Sequence, residues 1–386
     1  MVDFSISDES RMLLETVRRF VRTELIPLEP GVEESGCVSG DLSRTLLARS
    51  KALGLYAMNM SVEAGGPGLD TVDVCLMEEE CGWTSDALIR HSFGAVPSGL
   101  EACVGAQRER FLFPAVRGDI VVGFAMTEPG AGSDAAGIST TARGFGERFL
   151  LNGSKHFISD ADRADVFIVT AVTDPDRGKK GISTFLVDRR TQGVTVGPVQ
   201  HMMGLRGINH CPVYFNDVEV TTDTMLGPRG DGLRVALGTS NRVRLGNVGA
   251  RACGTASRLL QFSVDYAKER KQFGAAIGTY QLIQGMLAEM TTDIYATRMM
   301  VLNAAWDLDR GVDARTKVSM VKLQASEMLG RVADRAVQIF GGSGYCRDLP
   351  IERCYRDARV QRIFDGTSEI HKIAIARSVL ADGLPW

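Results

Sequence analysis

The spacing of apolar residues changes twice along this chain, and those two changes restrict the fold more than any other feature. From Ser7 to about Gly118 the apolar positions fall at helical intervals, as in Leu13, Leu14, Val17, Phe20 and Val21. Between about Val121 and Val220 short β-rich runs take over, at 149–151, 166–170, 184–187, 194–196 and 213–215. After Gly227 the helical period returns, with Val318, Val321, Ala325, Met328, Val332 and Ile339 on one ladder and Leu259, Phe262 and Tyr266 on another. An order of helices, strands and helices does not supply the alternating units of a parallel sheet, so a Rossmann domain is disfavoured. The pattern predicts an α+β multidomain chain. An all-α N-terminal domain spans 1–120, a middle β-barrel or sandwich 121–226, and an α-helical bundle 227–386. Ala64-Gly-Gly-Pro-Gly68 breaks the first region, and Asn152-Gly153 predicts a hairpin turn in the second.

With 386 residues, 44% of them apolar and 24% charged, the chain is long enough to bury more than one core. Its 44 basic and 47 acidic residues are well mixed and leave a net charge of −3, which argues against nucleic acid or an acidic membrane surface as partner. The eight cysteines are scattered without metal or redox spacing and read as reduced thiols. The opening Met1–Ser10 stretch is acidic and polar, unlike a signal or transit peptide, and no run approaches the roughly 18 apolar residues of a membrane helix. A cytoplasmic protein is expected.

Short motifs carry the candidate chemistry. Thr127-Glu-Pro-Gly-Ala-Gly-Ser-Asp134 is a turn whose glycines let backbone N–H groups approach a ligand, while Thr127 and Ser133 offer hydroxyls. The same residues also suit a plain inter-domain turn. Lys155-His-Phe-Ile-Ser159 reads as a half-buried strand, and alternation alone does not separate a structural strand from a ligand-lining one. In Glu269-Arg-Lys-Gln-Phe-Gly274, Arg270 and Phe273 close a predicted helix, where a cation complements the helix dipole. Gln338-Ile-Phe-Gly-Gly-Ser-Gly-Tyr345 bends the backbone tightly, with Asp348, Glu352, Arg356 and Asp357 following. Arg362-Ile-Phe-Asp-Gly-Thr-Ser-Glu369 sets Asp365 just before a helix predicted from about Ser368 to Val379, where a helix cap is its simplest role.

Taken together these motifs resemble the acyl-CoA dehydrogenase flavoprotein family over nearly the whole chain. The resemblance implies the same three-part order, four-helix packing in the C-terminal part, and bound FAD. It implies α,β-dehydrogenation of an acyl thioester on coenzyme A or an acyl-carrier protein, with an electron-transfer flavoprotein reoxidising the flavin. By resemblance, Thr127 bonds the pyrimidine side of the flavin and Ser133 lies near the cofactor or thioester phosphates. Phe157 flanks the ring and Ser159 bonds its N5 edge. Arg270 and Phe273 would reach the cofactor of a neighbouring subunit, which implies a homotetramer or homodimer. Gln338 and Gly342 would hold the diphosphate and adenine side, Thr367 and Glu369 would touch the cofactor, and Arg244 and Gly366 would contact substrate together with Ser133.

The chain departs from this pattern at the catalytic position, where Asp365 stands in place of the family's usual Glu. One methylene fewer draws the carboxylate back by about 1.5 Å. A relocated base is not visible, because 241–249 contains no acid; the family's Arg in this stretch is displaced by one residue as Arg244 or duplicated as Arg242. Asp at this position also resembles the nitroalkane oxidase branch, which deprotonates a carbon acid and uses oxygen, although Lys372 stands where that branch has an Arg. A flavin-binding homologue with little catalysis is the third alternative.

Overall fold

The computed structural model describes residues 6–238 and 240–385. In the N-terminal part, Ser7 caps the Asp8–Phe20 helix by accepting the Ser10 amide, and the helix buries Val17 and Phe20. These residues pack with Leu46 of the Gly40–Ala52 helix and Leu88 of the Asp86–Ser92 helix. The Thr71–Cys81 helix belongs to two cores at once. Met77 and Cys81 face the N-terminal cluster, while Cys75 enters the C-terminal one.

Seven strands form the middle part: β1 (Val122–Ala125), β2 (Thr141–Phe145), β3 (Arg148–Ser159), β4 (Val166–Val172), β5 (Ile182–Asp188), β6 (Val194–Val196) and β7 (His210–Thr221). β4 pairs with β1 in parallel and with β5 antiparallel, while β2, β3, β7 and β6 run antiparallel beside one another. Only Thr141 and Val172 link the two groups by pairing, so the sheet curls and closes a single core in which Phe149 of β3 meets Phe185 of β5. β4 and β5 are buried on both faces because N-terminal residues such as Leu100 and Leu112 cover Ile168 and Leu186.

The predicted hairpin turn at Asn152-Gly153 is not there. Gly146 and Glu147 make the β2–β3 turn, with Gly146 at φ 67°. Asn152 and Gly153 lie inside β3 at a shift in register, where Asn152 donates to the Asp217 carboxylate and accepts from the Asp217 amide, both at 2.9 Å. Two side-chain bonds to the neighbouring strand make an Asn-Gly pair into a bulge instead of a turn.

The Arg251–Glu269, Gln281–Asp309, Arg315–Phe340 and Ser368–Asp382 helices pack as a four-helix unit, and every member of the predicted 318–339 ladder is buried. The Thr71–Cys81 and Arg251–Glu269 helices touch backbone to backbone. A Cβ on Gly254 would stand 1.9 Å from the Glu79 carbonyl oxygen. No helix among the described residues is long and apolar enough to cross a membrane, and none of their side chains form a metal-binding cluster. Six cysteines are buried free thiols, whereas Cys37 and Cys346 are exposed.

Gly254→Ala tests the helix crossing. Helix propensity alone would stabilise the variant by up to about 1 kcal/mol. The clash is expected to win and to lower stability by about 1–3 kcal/mol, read as a drop in thermal midpoint.

Candidate active site

The 127–134 turn is fixed from beneath by one buried ion pair. Lys155, on the inward face of β3, places its Nζ 2.8 Å from Glu128 and also donates to the Met126 carbonyl and the Thr170 hydroxyl. Glu128 accepts in addition from the Ser139 amide and hydroxyl and from the Thr140 amide. Burial opposes charge on both partners. It brings Lys155 down to about 8, whereas hydrogen bonds from Lys155, Thr140 and Ser139 outweigh it on Glu128 and hold that carboxyl at about 2. Both directions leave the pair ionised at neutral pH. The loop above it presents Thr127 half-buried, its carbonyl accepting the His156 amide, and Ser133 exposed directly after the open Gly130 and Gly132.

A second irregularity in β3, between Lys155 and Ile158, turns Phe157 to φ 57° and leaves its ring 50% exposed. The Phe157 amide donates to Gln200, whose side-chain amide also meets His156. Ser159 returns to register opposite His210. A bulky ring held outward in a strained conformation offers a flat face to a ligand instead of packing into the core.

Asp365 does not cap the following helix. Thr367 does, accepting the Ile370 amide at 3.3 Å, and the helix starts at Ser368. Asp365 instead sits at φ 52° in a sharp turn with Gly366 at φ 94°, where a Cβ on Gly366 would lie 2.8 Å from His371 Nε2. Three side chains hold this turn by its carbonyls. Arg244 Nε donates to the Asp365 oxygen at 3.0 Å, His371 Nε2 lies 3.1 Å from the same oxygen, and Lys322 Nζ donates to Gln361 and Gly366 at 2.7 and 2.5 Å. Glu327 adds a bond from the Ser368 hydroxyl at 2.7 Å. Burial pushes His371 down to about 4, so its ring is neutral and its Nε2 carries the donated proton. Burial likewise takes Lys322 to about 8.

Water reaches the Asp365 side chain, yet dense protein around it costs the carboxylate hydration and raises its pKa, while Arg244 and Lys322 pull the other way. Arg244 reaches the turn because the chain forms a π-helix over Arg244–Ala250. Such a turn absorbs one extra residue.

The other expected residues are distributed over the surface. Thr367 caps its helix and Glu369 is exposed in the first turn. Arg270 terminates the Arg251–Glu269 helix, and Phe273, at φ 51° beside a two-stranded hairpin, is 98% exposed. Gln338 is exposed at the end of the Arg315–Phe340 helix, and Gly342 opens onto free space. Within the chain none of these four hydrogen-bonds to the Asp365 turn. Lys322, Glu327, His371 and the Glu128–Lys155 pair were not among the expected residues. Lys322 had a signal, a lysine on the same helical face as Val318, Val321 and Ala325.

Residues 7–119, 123–218 and 230–380 match the N-terminal, middle and C-terminal domains of acyl-CoA dehydrogenase. The chain belongs to the acyl-CoA dehydrogenase family. It is 36% identical to the caffeyl-CoA reductase-Etf complex subunit CarC of Acetobacterium woodii over 97% of this chain and 99% of that one. Butyryl-CoA dehydrogenase from Megasphaera elsdenii superimposes with a TM-score of 0.90 at 32% identity, covering 98% and 100% of the two chains. The structure described as PigA with FAD and proline gives 0.91 at 29% identity, covering 98% and 99%. The protein is therefore an oxidoreductase of this family, with FAD as its cofactor. Its residues fit that group. The outward Phe157 ring, the Ser133 turn and the uncrowded backbone at Gly341 and Gly342 are free to meet a flat, anionic ligand.

Lys322→Met removes both donated bonds and leaves the Gln361 and Gly366 carbonyls unpaired. Stability is expected to fall by about 1–3 kcal/mol. Faster amide exchange is expected across 361–368, while exchange in β3 and β7 stays unchanged.

Proposed function

We propose that the protein dehydrogenates an acyl-CoA thioester between its α and β carbons, with Asp365 as the base. The observation that carries this reading is the Asp365 turn, where a carboxylate of raised proton affinity is fixed through its own backbone by three cationic or imidazole side chains. The Asp365 carboxylate takes the α-proton. Bound FAD supplies the acceptor for the β-hydrogen, which leaves with its electron pair. Thr127, Phe157 and Ser159 are the residues to position the flavin ring, Ser133 the cofactor or thioester phosphates, and Thr367 and Glu369 the cofactor near the base. Arg244 and Gly366 shape the substrate side of the same turn.

Phe273, Arg270, Gln338 and Gly342 act across a subunit boundary in this reading. A phenylalanine 98% exposed in a left-handed conformation, its ring in edge contact with Tyr280, stays almost wholly uncovered within its own chain, which supports an assembly, a homotetramer or homodimer, in which it covers a neighbour's FAD. The Etf complex named for the A. woodii relative supports an electron-transfer flavoprotein as acceptor. The Lys372 side chain lines an apolar surface groove with Leu323 and Ile375, which gives no support to an oxidase in which this position assists the base.

Anaerobic titration with acyl-CoA thioesters is expected to bleach the bound flavin, and Asp365→Asn is expected to abolish bleaching with FAD retained. The rate should rise with pH as Asp365 loses its proton, on a limb above the ordinary carboxylate range. Because the Lys322 cation favours ionised Asp365, Lys322→Met should move that limb to still higher pH. Retained bleaching in Asp365→Asn would remove Asp365 as the base. Phe273→Ala is expected to release FAD on gel filtration with little change in the fold of each chain, measured by circular dichroism; full retention would remove the shared site.

A further inference from the structure

The surroundings of Asp365 continue into a set of charged groups that the dehydrogenation itself does not use. Two residues beyond Arg244, Gly246 packs against Glu78, with its would-be Cβ 3.2 Å from Glu78 Cγ. Glu78 accepts from Arg251 at 2.5 and 2.9 Å, and Arg251 also bonds Asp86. One turn further along the Asp86–Ser92 helix, Arg90 donates through Nε and Nη2 to Asp160, the residue that follows Ser159. After Arg244 and Lys322, the charges that act on Asp365 are those of Arg90 and Asp86. The set therefore runs from the base to the strand end expected at the flavin N5.

These groups are not fully satisfied among themselves. The Asp86 side chain is 27% exposed and bonds through Oδ1, and the Arg90 side chain is 23% exposed and bonds through Nε and Nη2. His210, directly opposite Ser159 and only 9% exposed, has its Nδ1 without a hydrogen-bond partner. The charges acting on this ring include Arg90, Asp160 and Asp86. A hydrocarbon tail laid against such a wall would strip water from Asp86 and Arg90 and return no bond, at a cost that selects against it.

The geometry points to a polar acyl substrate: a thioester whose acyl group bears a hydroxyl or amine beyond the β-carbon, received by Asp86 and Arg90. This inference rests on the dehydrogenase reading and names the substrate class of that site. Asp86 Oδ2 accepts from the hydroxyl or amine, and Arg90 donates to a hydroxyl oxygen from the other side. A site built to bond a substrate hydroxyl or amine discriminates against the analogue lacking it far more than an apolar pocket discriminates one methylene.

The test compares flavin bleaching by butyryl- and hexanoyl-CoA with bleaching by hydroxyacyl- and aminoacyl-CoA of matched length, substituted beyond the β-carbon, using the FAD-loaded protein. The polar series is expected to react at least about 100-fold faster at low concentration. Asp86→Asn, which keeps the shape, is expected to narrow that ratio to below about tenfold. Alkyl thioesters reacting as fast as the polar ones in the unaltered protein would overturn the inference and leave the dehydrogenase reading intact. An unchanged ratio in Asp86→Asn would overturn the assignment of Asp86. If no thioester of either series bleaches the flavin, the dehydrogenase reading falls and this inference with it.

Discussion

Three cores are held against one another by buried carboxylates that must find cations on another part of the chain. Glu29, in the N-terminal part, is buried and takes Arg258 at 2.7 Å and Arg353 at 3.1 Å, both from the C-terminal helices. Asp160, at the end of β3, takes Arg90 from the N-terminal part, and the two guanidinium groups of Arg90 and Arg163 hold its carboxyl well below the usual range against the opposing effect of burial. Asp357 reaches from the C-terminal part to the Leu205 amide of the middle part at 2.6 Å. Removing one partner of such a pair leaves a buried charge unpaired, a loss of about 3–5 kcal/mol, so each contact fixes relative placement more firmly than apolar packing alone.

That requirement bears on the site because the same kind of bond fixes each reactive element. The 127–134 turn rests on Glu128 and Lys155, and the Asp365 turn hangs from Arg244, Lys322 and His371 by its main-chain oxygens. Holding a residue by its carbonyl leaves its side chain free. The Asp365 carboxylate thus has no hydrogen-bonded structural duty in the Ser368–Asp382 helix, whose cap is Thr367. The cost is a left-handed conformation at a non-glycine residue, which persists because the surrounding bonds over-determine it.

Assembly and selectivity also share residues. Arg251 and Asp86 join the C-terminal and N-terminal parts, Arg90 joins the N-terminal part to the middle one through Asp160, and Asp86 and Arg90 stand within electrostatic range of the base. A wall made of ion pairs keeps its shape, since moving any member uncovers a charge, whereas an apolar wall can repack around different tails. Polarity at this place therefore fixes geometry and chemistry together.

The amino-acid sequence by itself determined the order of helices, strands and helices, the buried ladder of the Arg315–Phe340 helix, and the motifs that carry family membership. These are local: apolar spacing and glycine placement act within a few residues of one another. It misplaced the β2–β3 turn, because only contact with Asp217 on β7 makes Asn152-Gly153 a bulge. The cap reading of Asp365 failed for the same kind of reason. Thr367 offered an equal local cap and takes it, while the Asp365 turn is held by Arg244, Lys322 and His371, of which Lys322 is more than forty residues away in sequence. The polar and charged groups from Glu78 to His210 come from four separated segments, and each alone reads as an ordinary polar residue. Only the tertiary structure decided that they meet beside the base, since long-range pairing of buried charges is set by which faces the three cores press together, and no spacing along the chain records that.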